Sequence, residues 1–106
     1  MTDNNGKHSL YEEYASTLMG AVDLSAADLI DQVAILIRQA LDASPRGQRE
    51  LASILGVSEA RVSQVVNGDG NLRVGAVAKY LRALGYSAKL VASAAEEGLP
   101  ELPRKG

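Results

Sequence analysis

The amino-acid sequence predicts an all-α fold, a bundle of four or five helices, in a chain of 106 residues. Apolar residues recur every three or four positions through most of residues 10–84, which is the spacing of one face of a helix. Gly, Pro and capping residues interrupt this pattern at short intervals, so most of the helices should be short. Phe and Trp are absent, and the core is therefore expected to be aliphatic.

Two helices are expected before the first proline. Residues 9–20 suggest a short helix, and the polar residues 1–8 before it are expected to be disordered. Ser25 fits the N-cap of a second helix, with Asp28 three positions later where a capping box places an acid. This second helix should end at about Ala43, because a proline disfavours helical geometry in the residue before it.

Three short helices should follow, at residues 48–55, 58–66 and 74–84. Gly56 stands where the C-terminus of the first of them needs a residue that tolerates a positive φ. Ser58 is the expected N-cap of the next helix, and an Asn-Gly pair ends that helix. The short turn between these two helices should hold them together as one unit.

The segment from residue 86 to residue 97 leaves two structures open. Its first half, YSAKLVAS, alternates weakly between apolar and polar residues, which would suit a short C-terminal strand. The longer stretch SAKLVASAAEEG would equally suit an Ala-rich helix that ends at Gly98. The remaining tail carries two prolines and is not expected to pack.

The formal charges are distributed unevenly along the chain. Residues 1–43 carry −5, residues 44–90 carry +4 and residues 91–106 carry −1, which gives the total of −2. The basic middle segment can still bind a polyanion, because a ligand responds to local charge more than to the total. The acidic first segment should lie away from such a ligand.

The composition argues against several classes of function. Cysteine is absent and there is one histidine, so a thiolate metal site is excluded, no spacing typical of metal ligands occurs, and an enzyme would have only carboxylate chemistry. We therefore expect neither an enzyme nor a bound cofactor or metal. No apolar run approaches the length of a membrane span and the first residues do not resemble a secretory signal, so the expected location is cytoplasmic.

The helix at residues 58–66 should have one polar face. Its three valines would pack against the preceding helix, and the other side chains would face outward. The outward residues of this stretch are Glu59, Ala60, Arg61, Ser63, Gln64 and Asn67. Such a helix fits the major groove of B-DNA, where base edges offer donors and acceptors, and the two helices together make a DNA-binding helix-turn-helix.

The stretch QRELASILGVSEARVSQVVNG, residues 48–68, resembles the helix-turn-helix of the Cro/phage-repressor family, often called XRE-type. The shared features are a Gln-x-x-Leu-Ala start, a Leu-Gly-Val-Ser turn and an Asn-Gly stop at fixed spacing. The next stretch, NLRVGAVAKYLRALGY, resembles the following helix of the HigA-like antitoxin branch. The resemblance covers about residues 29–86. It implies a bundle of the lambda-repressor-like type and a transcriptional regulator of double-stranded DNA.

The resemblance also implies roles for individual residues. Arg61 and Gln64 are the better candidates for base contact, and Glu59 and Ala60 stand where the family often has base-reading glutamines. Glu59 departs from that pattern, and its carboxylate would either accept from a cytosine amino group or repel phosphate. Contacts to the DNA backbone are implied for Gln48, Ser58 and Asn67, and Arg73 would reach phosphate or a minor groove. Ser63 completes the DNA-facing set.

Three parts of the chain are expected: an acidic arm at residues 1–24, the DNA-binding domain at residues 25–85, and a dimerisation segment with a flexible tail at residues 86–106. One groove helix contacts only a few base pairs, so we expect a homodimer that reads an inverted repeat. If the segment after the fourth helix is extended, one face of it forms the dimer interface. That face consists of Tyr86, Ala88, Leu90 and Ala92.

Two other functions stay open beside that of a repressor. The chain could be an antitoxin that binds a toxin and autoregulates its operon, or a protein-interaction module that uses the helix-turn-helix as a scaffold. Either function would use residues 9–21 to bind a partner protein. A protein-binding face at residues 58–66 would expose apolar anchors, whereas the predicted face is polar, and this favours DNA.

Overall fold

The computed structural model describes residues 10–103 and contains four helices. They are α1 (Leu10–Ala43), α2 (Gln48–Leu55), α3 (Glu59–Val66) and α4 (Val74–Ala83). No strand forms within residues 10–103, and the expected all-α bundle is confirmed. None of the four helices is long and apolar enough to cross a membrane. The expected disorder of residues 1–8 and the helix start at Ser9 lie outside the described residues.

The first helix is continuous, so the expectation of two separate helices before the proline was wrong. α1 has 34 residues, and Ser25 lies in its interior and caps nothing. Gly20 is the strongest helix-weakening residue in this stretch, and one interior glycine costs only about 1 kcal/mol. That cost is too small to end a helix whose neighbouring residues all accept helical geometry. The expected boundary at residue 24 therefore falls inside a helix.

The core lies between the second half of α1 and the three short helices. Its largest fully buried side chains are Ile37, Leu51, Leu84, Val62 and Val65. Tyr80 adds an aromatic ring to this otherwise aliphatic cluster. The three valines of α3 that were expected to pack inward are buried, which confirms that prediction.

The first part of α1, residues 10–29, projects from the bundle, and we call it the arm. Every residue of the arm except Ala15 is exposed. The molecule is elongated as a result, with principal dimensions of 60 × 37 × 19 Å. The arm belongs to the same rigid helix as the core residues of α1, so it cannot fold back onto its own bundle without breaking that helix.

Local conformations set the turns between the short helices. Gly56 after α2 has a φ of 71° and lies in the left-handed region, as the sequence predicted. Ser58 caps α3, since its Oγ accepts a hydrogen bond from the backbone N–H of Arg61 at 3.0 Å. Gly70 is buried against α1, and a Cβ atom at this position would collide with the backbone of Ile30 and Ala34.

Two arginines fasten the C-terminal ends of distant helices. The guanidinium of Arg46 donates to the carbonyl oxygen of Ala83 at 2.8 Å, at the end of α4. Arg38 of α1 donates to the carbonyl oxygen of Val66 at 3.4 Å, at the end of α3. A cation near a helix C-terminus is favourable, because the last carbonyl groups lack helical partners and carry partial negative charge.

Residues 86–95 form neither of the two structures that the sequence left open. They run irregularly along the surface, and Leu90 is 82% exposed. A strand needs a partner for its backbone N–H and C=O groups, and no other strand exists within the described residues. An isolated short helix is marginal in water, which explains why the Ala-rich helix does not form.

Candidate nucleic-acid interface

α2 and α3 form a compact helix-turn-helix unit. The N–H groups of Gly56 and Val57 close the turn by donating to the carbonyl oxygens of Ser53 and Ala52 at 3.3 and 3.1 Å. The side chain of Ala52 is buried, and its small size allows the two helices to approach closely. Because the turn is short and bonded at both ends, α3 is held in one orientation on the bundle.

The buried valines determine which face of α3 is exposed. Val62, Val65 and Val66 point into the core. With 3.6 residues per turn, Ala60 and Gln64 then lie at the centre of the opposite face, and both are exposed. The helix has eight residues and is therefore about 12 Å long, enough to face only a few base pairs.

Arg61 lies at one edge of this face and is already bonded within the chain. Its guanidinium donates to Oδ2 of Asp69 at 2.8 Å and to Oε1 of Gln64 at 3.4 Å. The side chain is 38% exposed, so the expectation of a fully outward Arg61 needs correction. Asp69 offsets its positive charge, so a ligand of this guanidinium would have to compete with a carboxylate.

Glu59 lies at the other edge and pairs with Arg49 of α2. The distance from Arg49 Nε to Glu59 Oε2 is 3.5 Å. Both side chains are well exposed, so water screens the pair and it adds little to stability. Its effect at the interface is to offset the negative charge of Glu59.

A chain of hydrogen bonds holds the C-terminal end of α3. The Asn67 side chain donates through Nδ2 to Ser63 Oγ at 3.2 Å and accepts through Oδ1 from Arg38 at 3.3 Å. Asn67 is exposed, whereas Ser63 is half-buried and not fully outward as expected. Both side chains therefore position the helix end in addition to bordering the exposed face.

The N-terminal ends of α2 and α3 offer hydrogen-bond donors. Gln48 is the exposed first residue of α2, and Gly47 at the N-cap provides no side-chain bond to the first turn. The N–H groups of that turn can therefore bind an anion. The Ser58 hydroxyl accepts one backbone bond and still has its own proton to donate.

Arg73 is exposed at the N-cap position of α4. The loop before it is fixed at two points, since Gly70 is buried against α1 and Leu72 packs against the core. The arginine is therefore carried by a well-anchored loop, although its own side chain extends into solvent.

The four residues of the expected dimer interface are all exposed. Tyr86 is held at the start of the segment, where its N–H donates to the carbonyl oxygen of Leu81 at 2.9 Å. The others lie in the irregular stretch that follows, and they are Ala88, Leu90 and Ala92. They do not share one face of a strand in the described chain, because no strand forms there.

Tyr80 lies behind the interface and is almost completely buried. Burial raises the pKa of Tyr80 above its ordinary value, while the positive charge of Arg61 acts in the opposite direction. The phenol is therefore neutral at physiological pH.

A shallow cavity of about 550 Å³ opens between α2 and α4, with a mainly aliphatic floor and basic side chains at its rim. Its lining residues are Arg46, Ile54, Leu55, Lys79, Arg82 and Ala83. Within residues 10–103 no group of three or more His, Asp or Glu side chains could hold a metal ion.

The sequence patterns did not reveal that three residues bond to α3 or its end: Arg38, Arg49 and Asp69. Asp69 had a local signal, since it directly follows the Asn-Gly stop and lies eight positions after Arg61. Arg38 had none, because 28 residues separate it from the carbonyl group that it reaches. Such a contact follows from how α1 packs against α3.

A family model described as helix-turn-helix matches residues 33–91, which is more than half of the chain. No curated protein and no solved structure matches. The matched range contains α2, α3, α4 and the last third of α1, and it excludes the arm. The resemblance of residues 48–68 to the Cro/phage-repressor type is thereby confirmed. The chain belongs to the XRE-type helix-turn-helix family of sequence-specific DNA-binding regulators.

Proposed function

We propose that the chain acts as a homodimeric transcriptional repressor that places α3 in the major groove of its operator. The exposed face of α3 carries this proposal. Its centre combines a small residue, Ala60, with an amide, Gln64, and its edges carry charged side chains. A small residue permits close approach to the base edges, and an amide both donates and accepts hydrogen bonds.

Gln64 is the principal base reader in this proposal. A glutamine amide can bond to both N6 and N7 of adenine, which distinguishes an A·T pair in the major groove. Its bond from Arg61 is long, at 3.4 Å, so the amide is oriented without being tightly held. Ala60 would contact a thymine methyl group, and Arg61 would reach a base or a phosphate after exchanging its bond to Asp69.

Contacts to the DNA backbone would come from both sides of α3. Gln48 and the first turn of α2 would bind one phosphate, supported by the missing side-chain cap at Gly47. Ser58 and Asn67 would contact the backbone at the two ends of α3. Arg73 would bind phosphate or the minor groove from its anchored loop.

A dimer gives this small reading surface enough base pairs to select a site. Two groove helices about 34–36 Å apart read two half-sites on one face of B-DNA. The segment with Tyr86 and Leu90 supports a dimer, since it exposes apolar side chains and backbone groups that a symmetry-related strand would pair. Repression needs only that the bound dimer covers a promoter.

The antitoxin function is a second candidate, and one observation favours it. The arm is an uncovered helix outside the matched family region, and an antitoxin needs a surface for its toxin. DNA binding through α3 is common to both candidates. They differ in whether the arm binds another protein.

Binding-site selection from random duplexes would test the proposed function. We expect an inverted repeat whose half-site centres are about 10 base pairs apart. At that site, Gln64→Ala or Arg61→Ala should cost about 1–3 kcal/mol and relax the preference at particular base pairs. Gln48→Ala should weaken all sequences evenly, because a phosphate contact carries no sequence information.

Gln39→Ala is the matched control, since it removes an exposed amide of α1 outside the proposed interface. If the α3 variants retain the affinity and selectivity of the control, the groove face has been assigned wrongly. Selection of a single half-site would contradict only the proposed dimer and would leave the assignment of α3 intact.

A further inference from the structure

The arm carries a regular apolar seam that nothing in the described chain covers. Its seam positions are spaced by four and three residues in alternation: Tyr11, Ala15, Leu18, Val22, Ser25 and Leu29. This is the heptad spacing by which one helix packs lengthwise against another. Tyr11 is 77% exposed, Leu18 40%, Val22 60% and Leu29 55%.

A helix of this kind needs a partner to be stable in water. Most helical stability in proteins comes from packing of an apolar face, which the arm lacks within its own chain, and Gly20 in the middle of the arm weakens it further. The arm extends away from its own bundle as part of a continuous helix. The partner surface must therefore belong to another molecule.

We propose that the arm pairs antiparallel with the arm of a second copy of this chain, about a two-fold axis near residue 20. In that register Leu18 faces Val22 of the second copy, and Ala15 faces Ser25. Tyr11 then faces Leu29. Each layer thus pairs residues of similar size, with small residues opposite small ones and large opposite large, so one seam is complementary to itself.

The charges of the arm are compatible with this pairing. Residues 10–37 contain five acidic residues and no Lys or Arg, but none of the acids occupies a seam position. Across the antiparallel seam, Tyr14 lies opposite Asp28 of the second copy, where its hydroxyl can donate to the carboxylate. Antiparallel helices also place opposite ends of their dipoles together.

The buried area indicates an interface of moderate strength. The exposed large apolar side chains of one arm would bury on the order of 600 Å², compared with about 800 Å² per partner in a standard protein–protein interface. We therefore expect association in the micromolar range. The remaining acidic charges on the two arms repel each other, so added salt should strengthen the pairing.

The pairing would also set the distance between the two DNA-binding bundles, a consequence that rests on the proposed function. Ile30 lies at the base of the arm, ten residues from the proposed axis. The two Ile30 residues of a pair would be about 30 Å apart along the helices, close to the spacing of two half-sites. Arm pairing itself needs no DNA and can be tested without it.

Disulfide cross-linking of the full chain tests the register directly, because the natural sequence has no cysteine. An equimolar mixture of Ala15→Cys and Ser25→Cys proteins should form a mixed dimer under mild oxidation without DNA. Either variant alone should form at least tenfold less disulfide-linked dimer. Identical positions at residue 15 or 25 would be about 15 Å apart along the axis, beyond the reach of about 7 Å between disulfide Cα atoms.

The control mixture is Glu13→Cys with Ala27→Cys, which has the same register on the opposite face of the arm. It should not cross-link. Efficient cross-linking of single variants would indicate parallel arms, and equal cross-linking of the control would indicate random collision. Either result, or no cross-linking in any sample, overturns the proposal.

Sedimentation of an uncross-linked variant provides a second test. Both variants of this test also carry Leu90→Asp, so that the proposed C-terminal interface cannot hold the dimer together. In that background Val22→Asp should raise the dissociation constant of the dimer at least tenfold, whereas Asp23→Ala, beside the seam, should leave it unchanged. If Val22→Asp sediments like the chain with Leu90→Asp alone, or if association requires a basic partner protein, arm self-pairing is wrong. These outcomes do not depend on DNA binding, so the proposed function is tested separately.

Discussion

At the scale of single residues, Gly70 fixes the position of the loop between α3 and α4. It is buried against α1, and a Cβ at this position would overlap the backbone around Ile30 and Ala34. Backbone atoms in the middle of a helix cannot move aside as the end of a flexible side chain can. The glycine is therefore required by a close approach between two segments, and its φ is not positive.

We predict that Gly70→Ala lowers the free energy of unfolding by about 1–3 kcal/mol, the usual cost of overpacking a filled core. Gly75→Ala is the matched control, because its added methyl group meets nothing within 4 Å. That control should raise stability by up to about 1 kcal/mol, since alanine favours a helix over glycine. Urea denaturation measures both, and equal effects would show that the loop can move.

At the scale of elements, α3 is held by contacts that also limit its exposed face. Arg38 secures its C-terminal end, and Asp69 holds Arg61 at its edge. α3 thus combines bonded edges with a less constrained centre, where Gln64 accepts one long hydrogen bond from Arg61. A side chain that is already held in one orientation loses less entropy on binding. Before it can bind a ligand, however, it must break the bond to its present partner.

We predict that Asp69→Asn strengthens binding to random-sequence DNA and steepens the salt dependence by about one unit of the log–log slope. Removing the carboxylate leaves Arg61 with an uncompensated charge for phosphate. It also frees the side chain from its fixed position, so the preference at the base pair nearest Arg61 should fall. Titrations across salt on specific and random duplexes measure these effects.

Asp42→Asn makes the same change of charge on an exposed part of α1 and is the control. If it alters binding as much as Asp69→Asn does, the effect comes from total charge. The contact between Arg61 and Asp69 would then have no role in recognition.

At the scale of the whole molecule, stability depends on a core that includes one buried phenol. Burial raises the pKa of Tyr80, with Arg61 acting in the opposite direction. The folded chain therefore keeps this proton at a pH where the unfolded chain has begun to lose it. Its contribution to stability is complete below the unfolded value of about 10 and is lost as the pH rises through the folded value.

We predict that the unfolding free energy of the natural chain falls as the pH rises from 9 through about 10 and above. Tyr80→Phe should remove the part of this fall that is due to the phenol. Tyr11→Phe is the control at protein concentrations too low for arm pairing, because the ring of Tyr11 is exposed in the single chain and has little burial to lose. Chemical denaturation at several pH values measures the unfolding free energy of each variant. Identical dependence of that free energy on pH for both variants would contradict the prediction.

The helix-turn-helix unit was the part of the chain most predictable from sequence. Residues 48–55 and 58–66, the cap at Ser58 and the left-handed turn at Gly56 were all predicted from local patterns, and the structure confirms them. Their physics is local, since a cap, a turn glycine and a helical period involve neighbouring residues. The individual DNA contacts of α3 stay predictions.

The length of α1 depends on the sum of many weak helix preferences of its residues. The sequence contained a plausible cap at Ser25 and a weak point at Gly20, yet neither ends the helix. In the tail after α4, the alternation of apolar and polar residues suggested a strand. That strand does not form, because the single chain offers no second strand to pair with it. In both segments the local pattern allowed more than one structure.

By itself, the sequence determined the fold class, the helix-turn-helix unit and the polar face of its second helix, because these follow from periodicity and turn chemistry. Only the tertiary structure showed that Arg38 and Arg46 cap distant helices, that Asp69 holds Arg61, and that the arm stands uncovered. These contacts join residues far apart in the chain or lie at element edges. The contact of Asp69 with Arg61 had a local signal in the sequence, whereas the others depend on how helices pack in three dimensions, which no local spacing encodes.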